Sequence, residues 1–584
     1  MILHALKDYY ERMRADRETR LSEFGFSKEP ISFALIISKD GKHLQIDDVR
    51  NIVEQKTKSG KSKTRKEPRI EHVPSTTETD SRSGQKPPPN FLWDNSGYML
   101  GMDEKTKPEL LKWKFAEFKN LHVKIANNYG LQNEEGIKAV LSFLDSWDPS
   151  QAKDLQYWDE IAKGANLAFR LDGDGTRFIH ERPAVIDAWK RYVEDVESGE
   201  AGVCLMTGED TEIARIHRKI SGVWKAQPTG AAIVSFNQDS FESYGKSQSL
   251  NSPISVKSAF AYTTALNHLL RTNDRKVQIG DATTVFWAEK SSPMEDLLGQ
   301  IFNPQAEDTG TVSDVRNFLE AVRQGKMPSK IDTQTKFYIL GLSPNASRLS
   351  VRFWYAGTVG ELSERIGKHF RDIEIEKSRE TDKDFPGMWQ LLIQTAVQGK
   401  TDNIPPLLGG ELMRSILTGG KYPESMLSAL IGRIRADAEI NYLRVAMIKG
   451  ILTRNHNKEV SMSWDGSRKE PAYLLGGLFA ILEKTQKDAG IETIREKYFR
   501  SASATPKIAF SVLMPLAQHH IAKADFGIED DKRIAELMED IKEFPAYLSL
   551  QEQGLFSIGY YHMRNKIWKE IMEASAAKKA KSNQ

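Results

Sequence analysis

Residues 31–46 read ISFALIISKDGKHLQI, in which two runs rich in β-forming residues flank the turn Lys39-Asp40-Gly41-Lys42. An Asp-Gly pair between two such runs is typical of a β-hairpin. A second hairpin is expected where Leu167–Leu171 is followed by Asp172-Gly-Asp-Gly175 and Thr176–Glu181. The first part of the chain is therefore predicted to contain antiparallel strands.

Strand and helix signals alternate along the residues that follow. A helix is expected at Val256–Leu270, and short strands are expected at Gly202–Met206, Ala231–Phe236, Thr283–Ala288, Lys336–Leu342 and Arg348–Tyr355. This mixture predicts an α/β domain over residues 1–358.

Beyond about Val359 the strand signals fade, and apolar residues recur with the 3.6-residue period of helices. Helices are expected near 472–488, 491–503, 506–524, 530–543 and 549–577, separated by Gly490, Pro506, Gly527 and Pro545. Antiparallel helices joined by short loops form a bundle. We therefore predict an α+β protein: the mixed domain over 1–358, a helical connecting region over 359–461 and a helix bundle over 462–584.

Composition limits the function classes. The 584 residues include 82 Lys and Arg against 80 Asp and Glu, a formal charge of +2. This balance excludes a uniformly basic nucleic-acid coat, so a phosphate-binding surface must be local. The single cysteine, Cys204, excludes an internal disulfide framework and fits a reducing compartment.

A membrane or secreted location is not expected. The longest apolar run, Ala472–Leu482, is far shorter than the roughly 20 residues that span a bilayer. Charged residues come too early in the N-terminal segment for a signal peptide. We expect a soluble cytoplasmic protein with no membrane partner.

Motifs for catalysis are not found. A phosphate-binding loop needs a Gly five residues before its Gly-Lys-Ser, but Gln55 and Ser240 occupy that position before Gly60-Lys61-Ser62 and Gly245-Lys246-Ser247. His519, His520 and His562 have no carboxylate or thiolate at ligand spacing. The sequence predicts no metal site, no cofactor and no enzymatic activity.

A basic segment is the first candidate for phosphate binding. Residues 56–69 (KTKSGKSKTRKEPR) contain one acid, Glu67, and seven basic residues: Lys56, Lys58, Lys61, Lys63, Arg65, Lys66 and Arg69. Because residues 56–89 lack apolar periodicity, a mobile loop is expected. Its basic side chains would neutralise backbone phosphates; the alternative is a solvated linker.

A second candidate is the polar block 221–251, which places amides and cations beside glycines that let the backbone approach a ligand closely. The alternative is an ordinary loop whose amides are satisfied locally. The candidate contact residues are Lys225, Gln227, Asn237, Lys246, Gln248 and Asn251, with Thr229 and Tyr244 as secondary candidates.

Taken in order, a set of short motifs resembles the large subunit of the type I-C CRISPR Cascade complex over nearly the whole chain. No single motif is decisive, and residues 56–89 carry no family pattern. The motifs are Met1-Ile-Leu-His-Ala-Leu, Asn90-Phe-Leu-Trp-Asp-Asn with Tyr98 and Gly101, Cys204-Leu-Met-Thr-Gly-Glu209, Gly230–Asn237, Glu242–Gln248, Ala261-Tyr-Thr-Thr-Ala-Leu-Asn267, Ile279-Gly-Asp, Val285-Phe-Trp-Ala288, Leu342–Ser350, Tyr473-Leu-Leu-Gly476 and Gln553–His562.

The resemblance implies a non-enzymatic role. Such a subunit lies near the 5′ end of a guide RNA, beside the CRISPR backbone subunits, and recognises a protospacer-adjacent motif in target double-stranded DNA. It promotes duplex opening and R-loop formation and helps to recruit a helicase-nuclease effector. Under this reading the 221–251 candidates contact the motif duplex and the seven basic residues contact the DNA backbone.

The sequence leaves two other functional classes open. A metal-dependent nuclease subunit would need a geometric constellation of acids or histidines. A purely structural scaffold of the same complex would bind without reading bases.

The resemblance also implies a small helical subunit made from the same gene by an internal translation start. Met462 is the predicted start because it lies in the polar stretch Asn455–Glu470, between two helical patterns. Lys458-Glu459 is encoded AAR-GAR, which can provide a purine-rich ribosome-binding sequence just upstream. Met447, the main rival, lies inside the helical pattern Ile440–Leu452. The alternative is an ordinary linker residue at 462, with the bundle present only in the full chain.

Overall fold

The computed structural model describes residues 1–16, 21–56, 62–80, 85–197, 199–302, 309–327, 331–524 and 526–582. The chain forms two compact units, Met1–Arg271 with Pro344–Ser350, and Thr272–Ser343 with Val351–Gln584. The boundaries predicted after residues 358 and 461 stay a prediction, because two compact units do not test a division into three domains.

The first unit mixes helices with short strands. In chain order its elements are α1 (Ile2–Ala15), β1 (Phe26–Ile31), β2 (Phe33–Ile37), β3 (His43–Asp48), β4 (Asn51–Lys56), β5 (Ser62–Glu67), β6 (Arg69–Pro74), α2 (Thr77–Asp80), β7 (Trp93–Asn95), α3 (Ser96–Met99), α4 (Pro108–Asn128), α5 (Glu135–Ser146), α6 (Trp158–Ile161), β8 (Asn166–Leu171), α7 (Pro183–Glu197), β9 (Ala201–Val203), β10 (Asp210–Glu212) and α8 (Val256–Arg271).

The predicted hairpin at residues 31–46 is confirmed. Strands β2 and β3 pair antiparallel, with Leu35 opposite Ile46. Gly41 closes the turn at φ +84°, and a Cβ there would lie 2.6 Å from the backbone nitrogen of Phe143, so both conformation and space require glycine. The pair continues into a four-stranded sheet of order β3-β2-β8-β7, in which β2 and β8 run parallel.

The second predicted hairpin is only partly formed. Strand β8 ends at Leu171, and the returning segment makes one isolated bridge, between Arg170 and Phe178. A 3₁₀ turn over Ile179–Glu181 then replaces the expected strand, because the Glu181 carboxylate accepts a hydrogen bond from the Phe178 N–H at 2.7 Å. Local side-chain capping thus competes with strand pairing.

The loop predicted for residues 56–89 is wrong where the structure describes strands. Strand β5 pairs antiparallel with β4, and β6 pairs antiparallel with β1. The segment lacks apolar periodicity because the described side chains of β5, such as Arg65, Lys66 and Glu67, are polar and exposed to solvent. Backbone pairing, rather than burial of one face, therefore defines the β4–β5 ribbon.

The second unit joins a small sheet of order β11-β12-β13-β14 to a large set of helices. Its elements are β11 (Lys276–Ile279), β12 (Ala282–Ala288), α9 (Met294–Phe302), α10 (Thr309–Arg323), β13 (Lys336–Asn345), β14 (Arg348–Thr358), α11 (Val359–Ile373), α12 (Met388–Leu392), α13 (Leu408–Thr418), α14 (Glu424–Asp437), α15 (Tyr442–His456), α16 (Pro471–Asp488), α17 (Ile494–Ala504), α18 (Pro506–Ile521), α19 (Gly527–Asp540) and α20 (Leu550–Ser582).

The predicted α+β class with a helical C-terminal region is confirmed. Helices α16 to α20 correspond to the five expected from apolar periodicity. One continuous apolar core runs from Val277 to Ile567, so the helices after residue 462 share buried surface with those before it. Across the described residues, no helix is both long enough and apolar enough to cross a bilayer.

Helices α16 and α20 pack so closely that the backbone of one lies against the backbone of the other. A Cβ on Gly476 would lie 2.1 Å from the carbonyl oxygen of Phe556, and a Cβ on Gly559 would lie 2.1 Å from that of Tyr473. These positions admit only glycine, because any side chain would push the helices apart.

Gly476→Ala should therefore lower the free energy of unfolding by about 1–3 kcal/mol, the usual cost of overpacking. The matched control is Gly432→Ala in α14, where no atom lies within 4 Å of the added Cβ. There the better helix propensity of alanine should leave stability unchanged or raised. Urea unfolding followed by circular dichroism measures both, and equal midpoints for the two variants would contradict the packing account.

Candidate nucleic-acid interface

The block 221–251 has little regular secondary structure. The strand expected at Ala231–Phe236 is wrong: the segment makes only isolated bridges, Ile220 with Ala231 and Ala232 with Arg348. A turn closed by the Gly230 N–H donating to the Gln227 carbonyl, at 2.9 Å, directs the chain away from an extended strand. Short 3₁₀ turns at Asp239–Phe241 and Gln248–Asn251 complete the block.

The block is anchored to helix α8 through one amide. The Asn267 side chain accepts a hydrogen bond from the Ser221 N–H at 2.9 Å and donates to the Lys219 carbonyl at 3.1 Å. Both ends of the amide are used, so the side chain fixes the path of the backbone where the block begins.

Gln227 and Thr229 are exposed on the turn that Gly230 closes. Lys225 lies just before this turn, at φ +60°, with its ammonium nitrogen 4.1 Å from the ring centroid of Trp224. The indole is 43% exposed, so the pair presents an aromatic face together with a cation.

Asn237 is also exposed, and its carbonyl oxygen accepts a hydrogen bond from Arg348. The Arg348 guanidinium carbon lies 3.9 Å from the ring centroid of Phe241. Arg348 thus holds an amide and an aromatic ring of the block at the same time. Local sequence does not identify Arg348 as a contact residue, because a separation of 111 positions from Asn237 leaves no local signal.

Tyr244 projects from a tight turn. The Lys246 N–H donates to the Ser243 carbonyl at 3.0 Å, while Tyr244 and Gly245 have φ values of +55° and +67°. Positive φ at both central residues defines a type I′ turn, which is unfavourable for tyrosine. The ring is 99% exposed, so the turn displays an aromatic group together with the exposed Lys246.

Asn251 occupies a different position from the other candidates. Its Nδ2 donates to the carbonyls of Lys246 at 2.7 Å and Gln248 at 2.9 Å, and its Oδ1 accepts from the Ser243 N–H. The amide donors are therefore used to close the 243–251 loop. Gln248 itself is exposed, with φ +45°, and its N–H donates to Glu242 at 3.0 Å.

The described basic candidates of residues 56–69 differ in their surroundings. Arg65 is exposed. Lys66 forms an ion pair with Asp48 at 2.7 Å, and half-buried Arg69 forms one with Glu71. Lys56 ends β4 and Lys63 lies in β5, whereas Lys58 and Lys61 fall outside the described residues.

Asn237 and Gln248, although 11 positions apart in the sequence, line the same cavity. Arg215 and Lys219 line it too, and neither was selected from the sequence. Among the side chains that the structure describes, no group of three or more His, Cys, Asp or Glu is arranged to hold a metal ion.

The model of a family described as "CRISPR-associated protein (Cas_Csd1)" matches residues 6–568, which is nearly the whole chain and includes the candidate interface. No curated protein matches the chain.

Proposed function

The chain belongs to the Csd1 family of CRISPR-associated proteins, and we propose that it is the large subunit of a type I-C Cascade-type complex that recognises a protospacer-adjacent motif in duplex DNA. The observation that carries this proposal is the block 221–251, in which exposed amides, cations and aromatic rings project from tight turns. Amides can pair with base edges, and cations can hold phosphates.

In this proposal the subunit is not an enzyme and acts in the cytoplasm. Its partners are the 5′ end of the guide RNA, the CRISPR backbone subunits, target double-stranded DNA and a helicase-nuclease effector that it helps to recruit. Motif binding precedes duplex opening and R-loop formation, because guide pairing reads only the sequence beyond the motif.

Gln227→Ala and Asn237→Ala test motif reading. Each should weaken binding to the preferred motif by about 5- to 150-fold, since an amide–base contact contributes about 1–3 kcal/mol of discrimination. The measurement is binding of the assembled complex to a library of DNA duplexes in which the nucleotides beside a fixed target sequence are randomised.

The matched control is Gln238→Ala, which removes an exposed amide of the same block that was not selected as a reader. It should leave the motif profile unchanged. If Gln227→Ala and Asn237→Ala both keep the full profile, the block does not read the motif.

Residues 56–69 are proposed to contact the DNA backbone without reading sequence. Changing Lys61, Lys63, Arg65 and Lys66 to Ala should weaken binding to all duplexes alike, and should reduce the slope of log affinity against log salt by about 0.9 for each phosphate that is no longer neutralised. Arg65→Ala alone should reduce the slope more than Lys66→Ala, because Lys66 is already paired with Asp48.

The charge-matched control changes Lys105, Lys138, Lys153 and Lys163, which are exposed elsewhere in the first unit. Filter binding between about 50 and 200 mM salt provides the slopes. Equal slopes for the four-residue variant and the unchanged protein would contradict the proposed DNA contact and favour the alternative of a solvated segment.

We further propose that translation also starts at Met462 and produces a small helical subunit. Helix α15 ends at His456 and α16 begins at Pro471, so a start at Met462 cuts no helix. Met462 is 48% exposed, whereas Met447 is fully buried within α15.

Expression of the gene with a C-terminal tag should give a second band near one fifth of the full mass, and Met462→Leu should abolish it. Met447→Leu is the matched control and should leave the short band in place. A single full-length band from the unchanged gene, or a short band that survives Met462→Leu, would contradict this start.

A further inference from the structure

The cavity that Asn237 and Gln248 line lies within the first unit and has a volume of about 550 Å³. This is within the range of about 300–1,000 Å³ that is typical of small-molecule sites. Motif reading on a duplex surface requires no such concavity, because base edges are contacted within a groove. The cavity is called the pocket below.

The walls of the pocket are held together by hydrogen bonds between distant segments. The Ala232 N–H donates to the Ser347 carbonyl at 3.0 Å, and the Ser249 hydroxyl donates to the Arg215 carbonyl. On another side, the Glu197 carboxylate accepts hydrogen bonds from the N–H and hydroxyl of Thr77 at 2.5 and 2.7 Å. The pocket is therefore a built concavity rather than a gap beside one loop.

The lining combines apolar, amide, cationic and acidic groups, and both of its carboxylates, Glu78 and Glu197, have partners in Arg215 and Thr77. Ile216, Val234 and Phe236 provide apolar surface, and Asn237 and Gln248 provide amides. Arg215 and Lys219 provide positive charge; the Arg215 guanidinium is 3.8 Å from Glu78, an ion pair in which both side chains are more than half exposed. Such exposed pairs contribute little, so Arg215 can exchange its partner for a phosphate at small cost.

One lining residue, His217, carries a buried polar atom that the described part of the chain leaves unsatisfied. The residue is 5% exposed, its Nδ1 lies 2.5 Å from the Tyr262 hydroxyl, and its Nε2 has no hydrogen-bond partner among the described residues. Burial lowers the pKa of His217 to about 4, so the ring is neutral at pH 7. When Tyr262 donates to Nδ1, the neutral ring carries its proton on Nε2 and offers a hydrogen-bond donor. A buried donor without a partner is costly, so this wall of the pocket contains a polar group that the described residues leave unsatisfied.

A planar heterocycle with an attached phosphate matches the apolar, amide and cationic groups of the lining. We propose that the pocket binds one unstacked nucleotide of a DNA strand, with its base against Val234 and Phe236 and its phosphate toward Arg215 and Lys219. This inference rests on the proposed function, since Asn237 and Gln248 are candidate readers of the adjoining duplex. A nucleotide freed when that duplex opens has already lost its stacking and pairing, so its capture costs little further energy.

An abasic scan tests the pocket. The full-length chain is titrated with forked DNA in which each nucleotide of the unpaired arm is replaced, one at a time, by an abasic site. One position should lower affinity by about 5- to 150-fold, the usual effect of removing one base–aromatic stacking interaction, while its neighbours have little effect. A uniform response along the arm, or none, would overturn the proposal.

Pocket variants connect that position to these residues. Val234→Trp fills the pocket, and Phe236→Leu keeps an apolar side chain while removing the ring. Both should abolish the abasic effect at the sensitive position. Gln238→Trp, an exposed change that lies outside the pocket lining, is the matched control and should preserve it. A sensitive position that persists in both pocket variants, with thermal melting unchanged, would also overturn the proposal.

Two further measurements distinguish DNA from RNA as the ligand, and failure of the pocket from failure of the proposed function. The same scan on an RNA arm should show no single sensitive position; if the effect occurs on RNA and not on DNA, the assignment to DNA is wrong. Motif discrimination is measured on the same forked substrates. If the chain discriminates between motifs but no position of the arm is sensitive, the nucleotide pocket is rejected and the proposed function is kept. If a position is sensitive and depends on the pocket residues but the chain does not discriminate between motifs, the proposed function is rejected and the pocket is kept.

Discussion

Buried and half-buried backbone groups must find hydrogen-bond partners, and in the 221–251 block most of those partners are not strand neighbours. A segment with so few regular elements cannot satisfy its N–H and C=O groups through a ladder. Backbone bonds within short turns supply many of the partners, and two side chains hold the ends: Asn267 fixes the start of the block and Asn251 closes its last loop. The exposed cations and rings between these two points depend on that scaffold for their positions.

This arrangement explains why strained backbone is concentrated in the block. Lys225, Tyr244 and Gln248 have positive φ, which is unfavourable for residues with a Cβ. Such strain persists only where the surroundings determine the conformation, and it is frequent at ligand sites. The strain displays a fully exposed tyrosine and a lysine stacked on tryptophan, groups that a relaxed loop would not hold in fixed directions.

Asn237 and Gln248 are candidate contact residues of the 221–251 block, and both also line the pocket. Arg348 contributes from the tip of the β13–β14 hairpin, where residues 344–350 belong to the first unit. Within the second unit, the close packing of α16 on α20 depends instead on Gly476 and Gly559, where a side chain would not fit. The two regions therefore obey different physical constraints, hydrogen-bond satisfaction in one and volume in the other.

The sequence determined the parts of the fold that depend on local pattern. The Asp-Gly hairpin at 31–46 and helices α16 to α20 follow from turn chemistry and from apolar periodicity, each of which acts over a few residues. The β4–β5 ribbon was missed because its side chains are exposed and leave no apolar pattern. The segment Ala231–Phe236 was wrongly predicted as a strand because its apolar residues lie in loops that form only isolated bridges.

For the site, the sequence identified candidate amides and cations only by residue type. Only the tertiary structure decided that Asn251 is used within its loop, that Arg348 reaches Asn237, and that Arg215 and Lys219 line one cavity with Asn237 and Gln248. Contacts between residues far apart in the chain are set by packing and leave no signal in the local sequence.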